Sequence, residues 1–378
     1  MVSNLLSSLG SLGGSYTSWI LPFLFILTII VFFHELGHFL VARLCGIKVL
    51  VFSIGFGPEL VGFYDRRGTR WKISAIPLGG YVKFFGDENE ASVPDASTLA
   101  AMTEEERKQS FPGQPVGARA AVVAAGPIAN FILAIVIFAG VSIGFGKPAM
   151  VDGKPVVLPR IASIQAGTPA EAAGFVVHDR IVAIDGNSVD SFSEIQRLVG
   201  ASRGRSLTFD VDRNGSRIAI NAAPIEKDQK WVLGITGELE MEPVGFVDAM
   251  SSGVERTWFI VETTMVYLRD LVLGRQSVDQ IGGVIKIAQI SAEVARNGVD
   301  ALLTWTAALS VSIGLLNLFP IPLLDGGHLM FYSIEAVRGR PLSERAQDVG
   351  FRIGLAIVLM LLIFTIVNDL LHPFVTRS

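Results

Sequence analysis

Apolar residues along this chain gather into long blocks separated by polar stretches. Residues 19–33 are dominated by Leu, Ile, Phe and Val, and no charge precedes them. The apolar pattern then continues through His34, Glu35 and His38 to Arg43. Ala120–Gly146 and Ala301–Leu324 contain no charged residue, and Ile353–Asn368 is a shorter block between Arg352 and Asp369. A bilayer core roughly 30 Å thick needs about 20 apolar helical residues. The blocks therefore predict four spans, over 19–43, 120–146, 301–325 and 351–371, the last with flanks that snorkel. A basic start and a small-residue cleavage site are both missing, so the first block is expected to be a span rather than a signal peptide.

Between the blocks the period changes. Val49–Ile54, Leu60–Tyr64, Trp71–Ile76 and Tyr81–Phe85 are short β-rich runs separated by glycine turns, which predicts hairpins within 44–115. Asp87–Pro115 is polar, with an acidic run at Glu104–Glu106, and predicts a solvated helix and linker. Val247, Met250, Val254, Trp258, Val261, Met265, Leu268 and Val272 recur at spacings of three and four, an amphipathic helix within 246–297. Glu262 makes that helix a poor span. Residues 1–18 form an extension and 326–350 a loop.

Composition agrees with a membrane protein. Of 378 residues, 50% are hydrophobic and only 17% charged, against about 25% charged in soluble domains. The net charge of −4 gives no support for nucleic-acid binding. Cys45 is the single cysteine, which excludes an internal disulfide. The basic residues are asymmetric. Arg43, Lys48, Arg66, Arg67, Arg70, Lys72, Lys83, Arg107 and Lys108 follow the first block, and Arg338, Arg340, Arg345 and Arg352 follow the third. Those connections should face the cytoplasm, with both termini and the long 147–300 segment outside.

His34-Glu35-Leu36-Gly37-His38 reads H-E-x-x-H. On a helix the two histidines share one face and can reach one zinc ion, while Glu35 can take a proton from an attacking water. His34 lies ~15 residues past Trp19, about 22 Å of helix, inside the hydrocarbon core and towards its cytoplasmic side. Ionisable groups at such depth cost about 2.5–3.5 kcal/mol each, so three of them need a reason. The plainer alternative ends the helix at Phe33 and leaves them in the interface. A third ligand is required. Val41 and Leu44 exclude the extended H-E-x-x-H-x-x-G-x-x-H form. Glu59 lies in a turn-like Gly-Phe-Gly-Pro context. Asp325 is the better candidate, because Pro320, Pro322, Gly326 and Gly327 break the helix around it, and irregular backbone at membrane depth must line a cavity or be buried in protein. His328 is its rival, or else a neighbouring, non-ligating histidine.

These segments together, His34–His38, Gly55–Pro58, Pro77–Lys83, Gly126–Asn130, Asn317–His328 and Asn368-Asp369, resemble the site-2 protease family of intramembrane zinc metalloproteases, in the bacterial regulator-of-sigma-E branch. The resemblance runs from about Phe23 to Asp369. It implies His34, His38 and Asp325 as Zn²⁺ ligands and Glu35 as catalytic base. It implies that Asn317, Pro320 and Pro322 hold an unwound substrate strand, that the β-loop offers a sheet edge to substrate, and that Asn130 faces the active site as an oxyanion donor.

Gly167–Val189 resembles part of a bacterial PDZ domain, bounded at 155–237, with a helix at Ser191–Val199 and strands at Ser206–Asp212 and Arg217–Ala222. Two departures bear on peptide capture. His178 replaces the usual Gly before Asp179, and no Gly-hydrophobic-Gly-hydrophobic loop precedes Arg160. The domain is therefore expected to act as a steric filter more than as a C-terminus binder.

The expected fold class is a polytopic α-helical membrane protein with four transmembrane helices, a membrane-associated β-loop and an extracytoplasmic PDZ domain of α+β type. The expected function is intramembrane zinc proteolysis in the bacterial inner membrane. Its expected partners are membrane lipid and single-span substrates, such as pre-cut anti-sigma factors or signal-peptide remnants. A catalytically inactive membrane PDZ scaffold is the alternative, opposed by the full His34, Glu35, His38 and Asp325 set. A transporter built on the broken third helix lacks a matching inverted repeat.

Overall fold

The computed structural model describes residues 2–86, 102–227, 230–276 and 282–371. It divides into two units, one holding the residues before Ser142 and those from Phe246, the other residues 142–245.

Among the described residues of the first unit, four helices are long and apolar enough to cross a membrane: Ile20–Leu44, Val116–Phe145, Val299–Asn317 and Arg345–Leu371. A helix satisfies its own backbone groups, as lipid demands. The first belongs to α1 (Val2–Leu44), which is continuous with the 1–18 extension. After the short α2 (Glu104–Gln109) comes α3 (Val116–Phe145), with Pro127 inside it. Residues 87–101 of the expected linker lie outside the described residues.

Between α1 and α2 run two long strands, β1 (Val49–Tyr64) and β2 (Arg70–Phe84). Each bends until its two halves behave as separate segments. Phe52 has Val82 on one side and Trp71 on the other, and Trp71 in turn faces Phe63. The lateral order is therefore 80–84, 49–54, 70–73, 61–64. Phe52 is wholly enclosed and stacks on Trp71 at 4.2 Å between centroids. At the 65–69 turn, burial pushes the Asp65 carboxyl up. The Thr69 N–H, the Trp71 indole, the Arg67 N–H and the Arg43 guanidinium outweigh it and hold that carboxyl at about 2.

The second unit is built on a sheet. Its strands are β3 (Val157–Ile164), β4 (Arg180–Ile184), β5 (Leu207–Arg213) and β6 (Ser216–Ala222), then, beyond a hairpin of β7 (Ile225–Lys227) and β8 (Lys230–Val232), β9 (Ile235–Leu239). The order is β6-β5-β4-β3-β9, with Asn187–Ser188 pairing on β4. Its last strand in sequence is thus an edge strand beside the first. Two helices accompany the sheet, the single turn α4 (Pro169–Ala172) and α5 (Phe192–Ala201), whose N-terminus is capped by Ser191. Ile161, Ile181, Ile184, Ile195, Phe209 and Val211 form the enclosed core. Asp179 is buried, and Arg213 meets it with both Nε (2.8 Å) and Nη2 (2.7 Å).

The first unit continues with α6 (Phe246–Val272), α7 (Val284–Arg296), α8 (Val299–Asn317), α9 (Asp325–Arg338) and α10 (Glu344–Leu371). Two expectations need correcting here. The third span, expected over 301–325, stops as a helix at Asn317. Pro320 and Pro322 lack the N–H that a helix needs, and each disfavours helical backbone in the residue before it. The expected 326–350 loop contains most of α9. Gly326 and Gly327 let α9 fold back, since a Cβ at either would lie within 2.4 Å of the carbonyl oxygens of Leu318, Phe319 or Ile321. Near the end of α10, buried Asp369 accepts N–H bonds from Gly283 (2.8 Å), Ile285 and Lys286 (3.1 Å each). It satisfies the otherwise unpaired donors at the start of α7.

Candidate metal centre

His34 and His38 stand one turn apart on α1, and their Nε2 atoms lie 3.2 Å from each other. Asp325 arrives from far along the chain, as the first residue of α9. Its Oδ2 is 3.1 Å from His34 Nε2 and its Oδ1 3.6 Å from His38 Nε2. The break that ends α8 is what brings this carboxylate to the two imidazoles. One ligand atom from each residue lies within 4.8 Å of the others. Asp325 Oδ2 is buried and, among the described residues, has no hydrogen-bond partner beyond the His34 imidazole that it faces. Two imidazole nitrogens facing a buried carboxylate are a donor set for zinc, which takes three protein ligands and leaves a position open in catalytic sites. The residues fit the ion.

The surroundings orient the donors. His38 Nδ1 is 2.8 Å from the carbonyl oxygen of Val122. A carbonyl can only accept, so Nδ1 carries the hydrogen and Nε2 offers its lone pair towards Asp325. Helix α3 reaches this position because residue 126 is Gly. A Cβ there would lie 2.2 Å from His38 Nε2 and 2.9 Å from His34 Cε1. Gly37 serves the same approach from the other side, where a Cβ would meet Ala125 O at 2.3 Å.

Glu35 is half-buried beside the donors. The β-loop comes up against it: a Cβ at Gly80 would be 3.0 Å from Glu35 Cγ and 2.8 Å from Ser53 O. Bound zinc supplies Lewis-acid polarisation of a peptide carbonyl and makes water a stronger acid. Glu35, next to His34 but outside the donor cluster, is placed to take a proton from attacking water and to pass it to the leaving amine.

The other sequence candidates fall elsewhere. Glu59 is engaged by the Arg70 guanidinium. His328 sits outside the donor cluster, with its ring 6.4 Å from Tyr332 and 5.5 Å from Phe351 between centroids. Asn317 closes α8, and Pro320 and Pro322 lie in the irregular link to Asp325. None of those three is among the donors. Asn130 is wholly buried, and its side-chain amide lies 3.3 Å from His34 Nδ1. Sequence reasoning missed Val122, which acts through a backbone carbonyl and so has no side-chain signature. It also gave Gly126 no role of its own beyond its place in the Gly126–Asn130 segment.

Residues 22–361 match the model of Peptidase family M50. A protein of Agrobacterium fabrum named as a zinc metalloprotease is 47% identical over 373 residues, covering 94% of this chain and 97% of its own length. Metalloprotease MmpA of Caulobacter vibrioides is 39% identical, covering 92% of this chain and 94% of its own. Among solved structures, the PDZ domain of the SdrC-like protein from Listeria monocytogenes matches 23% of this chain and 93% of its own, at 20% identity and a TM-score of 0.20. The family match takes in α1, the Gly126 turn of α3 and the break before α9, every segment that shapes the donor set. The chain therefore belongs to peptidase family M50 and is a zinc metalloprotease.

Proposed function

We propose that the protein hydrolyses peptide bonds within the membrane-spanning segments of single-span proteins. One observation carries this reading: two metal donors, with Glu35 as the proposed base, lie within an apolar helix, Ile20–Leu44, long enough to cross the bilayer. His34 falls ~14 residues into it, about 21 Å of helix. Ionisable groups at that depth are costly, and a site there is reached from the membrane more readily than from water. A substrate helix must unwind before its peptide bonds can be attacked, and the β-loop beside Glu35 offers backbone for an extended strand. Asn317, Pro320 and Pro322, in the link that leads to Asp325, are proposed to hold that strand.

Substrates of this kind include anti-sigma factors shortened by another protease and leftover signal peptides. The proposed setting is the bacterial inner membrane, with the active site towards the cytoplasm and the 142–245 domain outside, following the Lys/Arg asymmetry. The test is purified protein in liposomes with zinc and a single-span substrate, with cleavage mapped by mass spectrometry. A cut inside the apolar segment supports the proposal. Cleavage confined to the soluble flanks would overturn it.

A second reading concerns the sheet domain, proposed as a PDZ module. A groove of about 640 Å³ runs between α5 and the edge strand β9. Phe192, Ile195 and Val199 line one side, Leu233 and Ile235 the other, and Lys227 and Lys230 add positive charge. The Leu233-Gly-Ile-Thr236 segment supplies, at the end of the domain, the loop that the sequence lacks before Arg160. This favours capture of an extended peptide with a free C-terminal carboxylate over a purely steric filter. Amidating the C-terminus of a trimmed substrate should then slow its cleavage, whereas a filter leaves it unchanged.

A further inference from the structure

The two histidines of the donor set differ in what stands behind them. His38 Nδ1 faces a backbone carbonyl, which fixes its hydrogen there. His34 Nδ1 faces a side-chain amide, with Asn130 Nδ2 3.3 Å away, and among the described residues no other polar group is given as its partner. With its nitrogen on that side the amide can donate only to a lone pair on Nδ1, which would put the imidazole hydrogen on Nε2. This is the wrong tautomer for a ligand, since Nε2 must present a lone pair to the metal. Meanwhile Asn130 Oδ1 is buried without a partner.

Turning the amide over about its Cβ–Cγ bond exchanges two ends of nearly the same shape. Oδ1 then accepts from His34 Nδ1–H, and Nε2 is free to bind. The backbone need not move. Ser310 Oγ donates to the Asn130 carbonyl at 2.9 Å, and the close approach of Gly314, where a Cβ would be 3.1 Å from Asn130 Cβ, holds that turn of α3 in place.

We infer that Asn130 is a positioning residue for zinc: its side-chain oxygen accepts from His34 Nδ1–H, which leaves the Nε2 lone pair for the metal. A residue acting only as an oxyanion donor would have no use for an acceptor on the imidazole side. Acceptors that hold the other nitrogen of a ligating imidazole typically change metal affinity 10–100-fold.

The test compares Asn130→Ala and Asn130→Asp in the full-length protein by zinc competition against a chromophoric chelator. Asn130→Ala removes the acceptor and should weaken zinc binding about 10–100-fold. Asn130→Asp keeps an acceptor at the same place and should lose less than the ~10-fold that is the least expected of Asn130→Ala. Wild-type affinity in Asn130→Ala would overturn the proposal, as would an equal loss in both variants. So would a fall in kcat in both with zinc affinity unchanged, the signature of an amide that serves only the substrate. A measurement on the unaltered protein covers variants that fail to fold. In histidine-labelled, zinc-loaded protein, His34 Nδ1 should give the NMR shift of a protonated ring nitrogen, and the shift of a bare one would overturn the proposal. Zinc affinity and this spectrum need no membrane substrate, so they stand or fall separately from intramembrane cleavage.

Discussion

Phe209, Val211 and Ile181 are fully enclosed in the 142–245 domain, while at the end of α10 Leu361, Ile363 and Phe364 stand outward and Asn368 and Asp369 are enclosed. Elsewhere the membrane unit also encloses apolar side chains, Phe52 and Phe138 among them, but alongside polar ones. In the membrane unit the enclosed residues include Asn130, Ser291, Thr306 and Ser310, joined by bonds such as Trp305 Nε1–H to Ser291 Oγ at 2.9 Å. Apolar side chains gain little by leaving lipid for protein, so small residues and polar contacts hold such helices together. In the sheet domain, burying Ile, Val and Phe away from water drives folding. The difference assigns roles. Polar groups of the membrane unit hold helices together and, at His34, His38 and Asp325, form the metal donor set, while enclosed apolar groups of the sheet domain carry stability.

Glu35→Gln should separate chemistry from stability most sharply. Removing a general base costs about 10²–10⁴ in rate, and peptide hydrolysis should fall by that much. Stoichiometric zinc, measured by metal analysis, should remain, because Glu35 is outside the donor cluster. Zinc lost together with activity would show that this carboxylate is also a structural or ligating group, and the division of roles would fail there.

The converse experiment is in the sheet domain. Phe209→Ala removes a wholly buried ring that meets Phe175 edge-on at 5.4 Å. Such a truncation costs about 3–5 kcal/mol. Hydrogen exchange should show the domain opening while zinc stays bound at its three donors. Leu361→Ala, on an outward face of α10, should change stability by no more than about 0.5 kcal/mol. Equal effects from the two substitutions would break the comparison.

What the sequence makes legible follows the same physics. His34, Glu35 and His38 are local: an i, i+4 spacing in an apolar block announces itself. Asp325 is nearly as visible, because prolines and glycines at membrane depth mark a break. The contacts that finish the site are non-local. No pattern around Val122 says that its carbonyl meets His38, or around Gly80 that it lies against Glu35. Where a helix ends was legible only to within the prolines, so the third span was drawn to Asp325 instead of Asn317. The sheet edge beside α5 was sought before Arg160 because strands are read in chain order, but 235–239 supplies it by pairing back on β3.

An effect smaller than that of Phe209→Ala lies at one backbone position of the sheet domain. His178 has φ +72°, the left-handed region, at the position where Gly is usual. Its N–H is held by Ile161 O at 2.8 Å, and Ile161 N–H by Asp179 O at 2.9 Å, so the turn cannot relax out of that conformation. A side chain there costs roughly 1–2 kcal/mol. Little repays it: the ring is 78% exposed, and Nδ1 lies 3.9 Å from Glu238 Oε2, a surface contact of small worth. His178→Gly relieves the strain but adds unfolded-state freedom, about 0.5–1 kcal/mol in the other direction. The net expectation is a stabilisation of about 0.5–1 kcal/mol, read from denaturant or thermal unfolding of the domain. Gly174 is the matched control, with φ +82° and no atom within 4 Å of a built Cβ. Gly174→Ala should therefore lose about 0.5–1 kcal/mol net, about 1–2 from conformation less about 0.5–1 of unfolded-state freedom. If His178→Gly instead destabilises the domain, the imidazole makes a contribution that outweighs its backbone strain, and its contact with Glu238 becomes the first place to look.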